Sequence, residues 1–204
     1  MKDRGLLLVV SGPSGAGKGT ICNALREKFP QIKYSISMTT RQPRVGETDG
    51  ADYYFTTNDH FEELLEEDAF LEHAKVYDHY YGTPKKAVFA HIDAGDHVML
   101  EIDIQGAMQV KKRYPQGVFI YVVPPGKEVL GQRLRGRHTD SEDVIAGRLA
   151  KAQAELDWIS QYDYLIVNDD LDEAIANAES VVVAETCSVR RNTNTIEHIK
   201  DMYR

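Results

Sequence analysis

Cysteine is scarce. Only two occur in 204 residues, Cys22 and Cys187, too few for a disulfide framework and without the companion histidines of a metal site. Both are expected to be reduced and structural, as in cytosol. Long apolar runs are missing as well. The stretch at residues 6–10 is far shorter than a signal-peptide core or a spanning helix, so a soluble cytoplasmic chain with no membrane partner is expected. Positive charge is in deficit: 24 Lys and Arg stand against 32 Asp and Glu, a formal net charge of -8. That balance disfavours broad, sequence-independent binding of nucleic acid, and any basic cluster then serves a small anionic ligand. Internal repeats and low-complexity tracts are also absent. With 42% hydrophobic and 27% charged residues, the chain has ordinary globular composition and is long enough for one domain with a substantial core.

What is present begins at residue 12. Gly12, Pro13, Ser14, Gly15, Ala16, Gly17, Lys18, Gly19 and Thr20 directly follow the first apolar run and precede an amphipathic stretch that starts at Ile21. A strand, a glycine-rich turn and a helix in that order form a phosphate-binding loop. The glycines let backbone N–H groups turn toward phosphate oxygens, the helix offers its positive end, and Lys18 reaches the β- and γ-phosphates. A nucleoside triphosphate is the expected ligand. The position after Lys18, where such loops usually carry a hydroxyl for Mg²⁺, is Gly19. Thr20 is one place too late for that role. The metal must therefore be held differently, which fits a small kinase that clamps its nucleotide from the far side better than a GTPase or motor ATPase.

Apolar runs at 6–10, 98–104, 118–123 and 164–167 read as buried strands separated by segments of helical period, the alternation of a parallel α/β sheet flanked by helices. After the loop, Ile21, Ala24, Leu25 and Phe29 share a helix face that Pro30 ends. Thr139 and Glu142 have capping-box spacing and announce a helix with Ile145, Leu149, Ala152 and Leu156 on one face. Another helix is expected from about Asp172 to about Ala184. Between about 35 and 90, polar and aromatic residues dominate, with Gly46, Gly50 and Gly82. This change predicts a small insertion of antiparallel strands with one short helix at 59–67, well placed to hold a second substrate. The tail from Arg190 to Arg204 is polar, and Ile196 and Ile199 point to a final docked helix. The seven histidines are scattered; His73, His79 and His138 fall near the proposed sites and read as surface residues.

The insertion carries its own anion-binding pattern. Arg41 and Arg44 flank Pro43, which biases the backbone toward an extended form, so two planar guanidinium groups can converge on one phosphate. Tyr53 and Tyr81 can add neutral O–H donors. Glu72 lies between apolar neighbours in Phe70-Leu71-Glu72-His73-Ala74. A partly buried carboxylate needs donors, either from a structural ion pair or from a ligand. Guanine supplies two, N1–H and the 2-amino group, and its O6 and N7 can accept from the hydroxyls of Ser37 and Thr83.

These residues together resemble the guanylate kinase family. The resemblance rests on 12–20, on Ser37-Met38-Thr39-Thr40-Arg41-Gln42-Pro43-Arg44-Val45-Gly46-Glu47, on Gly50-Ala51-Asp52-Tyr53-Tyr54-Phe55 and on Phe70-Leu71-Glu72. It continues through Tyr80-Tyr81-Gly82-Thr83, Glu101-Ile102-Asp103-Ile104-Gln105-Gly106 and Val167-Asn168-Asp169-Asp170. The resemblance implies ATP and GMP as substrates, with Mg²⁺ accompanying ATP, and ADP and GDP as products. It implies that Arg41, Arg44, Tyr53 and Tyr81 hold the GMP phosphate, while Ser37, Glu72, Thr83 and Glu101 read guanine. Some relatives carry Asp where this chain has Glu101.

On the donor side, Arg133, Arg135 and Arg137 with Gly136 read as a lid, followed by Arg148. Arg133, Arg137 and Arg148 are implied to touch ATP phosphates. Asp103 follows a buried strand and faces the loop, where it either orients Mg²⁺ through water or positions the acceptor phosphate. Asn168, at the end of the last strand, is expected to contact adenine. The implied domain is a single P-loop NTPase-type unit of residues 1–204, with its core at 1–34, 92–125 and 160–204. A small mixed α+β GMP-binding insertion covers 35–91 and a helical lid covers 126–159. Two other functions stay open on sequence alone: a non-catalytic interaction module of the same fold, and a kinase for another nucleoside monophosphate.

Overall fold

The computed structural model describes residues 2–136 and 140–204. The first strand explains the rest. In β1 (Leu7–Ser11) every residue is buried, because strands of a parallel sheet are covered on both faces. Leu8 and Val10 face one apolar cluster, with Ile21, Leu25, Met99, Ile120, Ala174, Ala178 and Val182. Leu7 and Val9 face the other, with Leu71, Val88, Ile92, Val98, Leu100, Val110 and Phe119. Each such side chain withdrawn from water contributes about 1.5–3 kcal/mol, so the central strand is held from both sides.

Around β1 stand β2 (Ile32–Tyr34), β7 (His97–Glu101), β8 (Val118–Val123) and β9 (Tyr164–Val167), in the order β2-β7-β1-β8-β9 and all parallel. The loop residues lead into α1 (Lys18–Lys28), which packs with α7 (Leu171–Cys187) on the first cluster. α4 (Ile104–Arg113) covers the opposite face. The run at 98–104 is therefore not one strand. It breaks after Glu101 because Asp103 Oδ1 accepts the Gly106 N–H at 2.8 Å and caps α4.

The insertion is a second sheet in the order β4-β3-β6-β5, made of β3 (Met38–Thr39), β4 (Tyr54–Phe55), β5 (Phe70–Val76) and β6 (His79–Pro84), with α2 (Asn58–Glu66) against it. It departs from the expected antiparallel arrangement in one pair: β3 and β4 run parallel, since residues 40–53 form a long crossover rather than a hairpin. Stacked rings of Phe61 with Phe70 (4.4 Å) and Tyr80 (5.1 Å) fasten α2 to the sheet. The sequence had placed residues 85–91 in the insertion. Instead α3 (Lys85–Asp93) buries Val88 and Ile92 in the main core.

α5 (Lys127–Arg135) and α6 (Glu142–Glu155) pack around their own cluster of Leu130, Leu134, Ile145 and Ala152, with Leu149 beside it. α6 starts later than the capping box anticipated. Ser141 is its N-cap and accepts the Val144 N–H at 3.4 Å, while Glu142 pairs with Arg135 instead. Leu156, expected on the apolar face, is 43% exposed and opens the 3-10 turn that follows. Gly136 has φ -61°, a helical value open to any residue, so its freedom is not used here. Thr139, with Arg137 and His138, lies outside the described residues.

The final helix, α8 (Thr193–Met202), is present, but not docked through Ile199, which is 48% exposed. Polar ties hold it: Asp3 accepts the backbone N–H groups of Asn194 (2.8 Å) and Thr195 (3.2 Å). Just before it, Arg190 and Arg191 pair with the buried Glu185.

Candidate active site

The phosphate loop is shaped by backbone that only glycine tolerates and by one buried amide. Gly12 has φ +136°, and a Cβ there would stand 2.0 Å from Val122 O; at Gly17 (φ +92°) it would stand 2.2 Å from Asn168 Nδ2. Asn168 is 4% exposed, and its Nδ2 donates to Ala16 O at 2.8 Å. It thus acts as a strut under the loop, with one of its amide N–H groups spent on the loop backbone. Arg133 braces the same point, with Nη2 donating to Asn168 O at 2.9 Å. Lys18 begins α1, and its Nζ donates to Gly12 O (2.7 Å) and Pro13 O (3.1 Å), so the ammonium curls over the loop.

A cavity of about 490 Å³ opens over this loop, lined by Gly12, Ser14, Gly15, Gly17, Lys18, Gly19, Thr20, Glu101, Ile102, Asp103, Arg148, Lys151 and Glu155. Arg148 comes from α6 and reaches the loop directly, with Nη1 donating to Ser14 Oγ at 3.0 Å and Nη2 paired with Asp140 at 3.3 Å. Lys151 and Glu155 had not been singled out. Both follow Arg148 at helical spacing on α6, the periodic signal that would have found them. Arg137 lies outside the described residues. Glu101 faces Gly19: a Cβ on that glycine would be 3.6 Å and 3.7 Å from its carboxylate oxygens.

The second centre lies in the insertion. Glu72 on β5 is 8% exposed, and Thr83 on β6, its cross-strand partner, donates Oγ1–H to Glu72 Oε1 at 2.6 Å. Burial raises the Glu72 carboxyl above its ordinary value; the Thr83 bond opposes this and the nearby Asp103 raises it further. The Thr83 proton is thus spent on Glu72, leaving the hydroxyl oxygen as an acceptor. α4 holds β5 in place. Gln109 accepts the His73 N–H (3.1 Å) and donates to His73 O (3.0 Å), and Arg113 donates to Leu71 O (3.0 Å). A Cβ on Gly106 would meet Glu72 Oε2 at 3.1 Å and Asp103 Oδ1 at 3.4 Å. Asp103 thus joins the two centres, touching the edge of the Glu72 pocket and lining the loop cavity.

Arg41, Tyr53 and Tyr81 also come together. The Arg41 guanidinium lies 5.4 Å from the Tyr53 ring centre, and Tyr53 meets Tyr81 edge-on at 6.0 Å. Arg44 is exposed in the same turn. A cluster of cations and phenols beside a buried carboxylate can hold a phosphate at one end and a donor-rich base at the other.

A five-stranded parallel sheet with a phosphate loop at its centre, a helical segment reaching that loop through Arg148 and an inserted four-stranded sheet define a P-loop protein of the small-kinase class. The family model described as guanylate kinase matches residues 4–185. The chain belongs to the guanylate kinase family. Among its relatives, a guanylate kinase of Caldanaerobacter subterraneus subsp. tengcongensis is 52% identical over 203 residues, covering 100% of this chain and 95% of the relative. One of Desulfitobacterium hafniense is 53% identical over 190 residues, covering 93% and 95%. The crystal structure of guanylate kinase from Anaplasma phagocytophilum superposes with a TM-score of 0.72 at 32% identity, over 96% of this chain and 94% of that one.

Proposed function

We propose that this chain transfers the γ-phosphoryl group of ATP to GMP, and to dGMP, giving ADP and GDP in purine nucleotide metabolism. The observation that carries this is Glu72, a buried carboxylate with one oxygen bonded to Thr83 and the other turned toward Gly106 and Asp103. Guanine's N1–H and 2-amino group complement such a carboxylate, whereas adenine lacks both donors. The family relationship supports the same reaction.

In this function the protein mainly aligns two nucleotides and neutralises spread-out charge, because phosphoryl transfer passes through a loose transition state. The loop amides and Lys18 hold the donor phosphates. Arg41, Arg44, Tyr53 and Tyr81 hold the acceptor phosphate, and Ser37 with Glu72 orients the base. Arg148, carried by α6 and already touching Ser14, and Arg137 bring positive charge to the transferring group. Arg133 and Asn168 act one step back by bracing the loop. The working units are the core, the insertion from residue 35 to the end of β6, and the lid at 126–159. Closing the last two over the substrates excludes water and suppresses hydrolysis of ATP.

Mg²⁺ fits the donor site on the chemistry of its walls. The Glu101 carboxylate lines the loop cavity with no hydrogen bond or ion pair among the described residues, beside a glycine where a hydroxyl commonly stands. One or two carboxylates together with substrate phosphates are the usual Mg²⁺ environment. Glu101 and Asp103 would hold the ion or its waters, and the charge of Mg²⁺ would offset that of the ATP phosphates. The two free cysteines suit a cytoplasmic setting.

The test is ADP formation from Mg-ATP with GMP, dGMP, AMP, CMP, UMP or dTMP, with a control lacking acceptor. Turnover confined to GMP and dGMP is expected. Turnover with another base would overturn the role of Glu72, and none with any acceptor would favour an interaction module.

A further inference from the structure

Glu47 stands inside the cluster of cations that would receive the acceptor phosphate, where a carboxylate should repel a dianion. Its contacts give it another use. Arg41 Nη1 donates to Glu47 Oε2 at 3.0 Å and Nη2 donates to Glu47 Oε1 at 2.8 Å, a two-pronged pair whose side chains are 12% and 20% exposed. Arg41 Nη1 also donates to Gln42 O at 2.7 Å. The same Oε2 accepts the Arg44 backbone N–H at 2.7 Å, and Glu47 N–H donates to Arg44 O at 3.1 Å. Gly46 closes this turn with φ +92°. One carboxylate therefore ties the side chain of the first arginine to the backbone of the second.

The consequence is directional. A guanidinium offers five N–H groups in a rigid fork. Glu47 takes the fork between the two terminal nitrogens, so the Nε side of Arg41 is the edge left for another anion. That edge lies in the plane stacked near Tyr53 and Phe55, at 5.4 Å and 5.9 Å from their ring centres. The Arg44 side chain has no hydrogen bond or ion pair among the described residues and is presented from the turn that Glu47 fixes.

We propose that Glu47 is a positioning residue of the acceptor site: it holds Arg41 and Arg44 in one turn so that both converge on the monophosphate group, and it stays in place when that group binds. The alternative is a stand-in anion that the phosphate must displace. The two differ in sign. Removing a positioning residue weakens phosphate binding, whereas removing a stand-in strengthens it.

This inference rests on GMP being the acceptor, and the experiment separates the two claims. Steady-state kinetics with GMP and ATP varied in turn, together with calorimetric binding of GMP and of guanosine, are measured for wild type, Glu47→Gln and Glu47→Asp. Glu47→Gln is expected to raise the GMP KM about tenfold or more, while kcat and the ATP KM stay within about twofold. Guanosine, which has no phosphate, should bind the variant as it binds wild type. Glu47→Asp, one methylene short of spanning Arg41 and the Arg44 N–H, should also raise the GMP KM, and it serves if the Gln variant folds poorly. Equal loss of GMP and guanosine binding, or an unchanged or lower GMP KM, overturns the proposal. Failure of wild type to phosphorylate GMP overturns the acceptor instead.

Discussion

Gly19 and Glu101 face one another across the mouth of the phosphate loop, with room for a Cβ at 3.6 Å and 3.7 Å from the two carboxylate oxygens. The space in which other loops carry a serine or threonine side chain is left open here, and an acid borders it. Replacing Glu101 by Gln is expected to raise the Mg²⁺ concentration for half-maximal activity about tenfold. It should also weaken Mn²⁺ binding to the ADP complex, read by electron paramagnetic resonance. Adding Gly19→Ser should recover part of both losses. Mg²⁺ dependence and Mn²⁺ affinity unchanged in the Gln variant would remove Glu101 from the metal.

In the proposed function Glu72 must be ionised to accept two bonds from guanine, yet burial raises its pKa above the ordinary 4.5. The neutral form therefore persists to higher pH than for a free carboxylate. Guanosine affinity is expected to fall as pH drops through this raised value, beginning above the usual carboxylate range. Glu72→Gln should abolish that dependence and lower kcat/KM for GMP about a hundredfold or more, because an acceptor becomes a donor facing guanine's own N–H. Direct binding of ATP should be unaffected. An equal loss for both nucleotides would contradict the assignment.

Arg148 is joined to Ser14, so α6 carries its charge to the loop. Arg148→Ala is expected to lower kcat about a hundredfold or more, with the GMP KM little changed, as for a cation acting on the transferring group. Single-turnover kinetics at saturating substrates check it. A rise in the ATP KM alone would make Arg148 a binding residue only.

His97 Nδ1 accepts the Leu6 N–H at 3.0 Å. Burial, with a smaller effect from Lys2, lowers its pKa below the ordinary 6.5, while Asp96 opposes this. Below 6.5 the unfolded chain takes up a proton that the folded chain resists, so stability is present above that value and declines as pH falls toward the lowered folded pKa. Urea unfolding between pH 7.5 and about pH 5 should show a steeper loss for wild type than for His97→Asn.

Much of the architecture could be read from the chain because its signals were local. The loop from Gly12 to Thr20 and the apolar runs around it specified a parallel sheet, and α1, α2 and α7 fell within a few residues of expectation. Errors arose where one polar side chain decided an ending, as when Asp103 capped α4 and split the run at 98–104. Errors also arose where distant segments met. Nothing near Asn168 announces that its amide will lie beneath Gly17, and nothing near Glu101 announces that it will face Gly19. Thr83 lies opposite Glu72, but its direction of donation depends on that carboxylate across the sheet. Lys151 and Glu155 were missed although α6 repeats them after Arg148, since charge on a helix face is common enough to pass as solvated surface.

The position of β1 in the middle of the sheet has a consequence for synthesis. Leu7 pairs with Val98 and Leu8 with Val118, partners that emerge from the ribosome long after β1. At about 5–20 residues per second, the wait for Val98 is about 5–20 s. During that interval an apolar strand with both faces unpaired must be shielded by transient partners. The nascent chain is therefore at its most aggregation-prone before β7 and β8 arrive, and the strand that anchors the finished protein is the one left longest without neighbours.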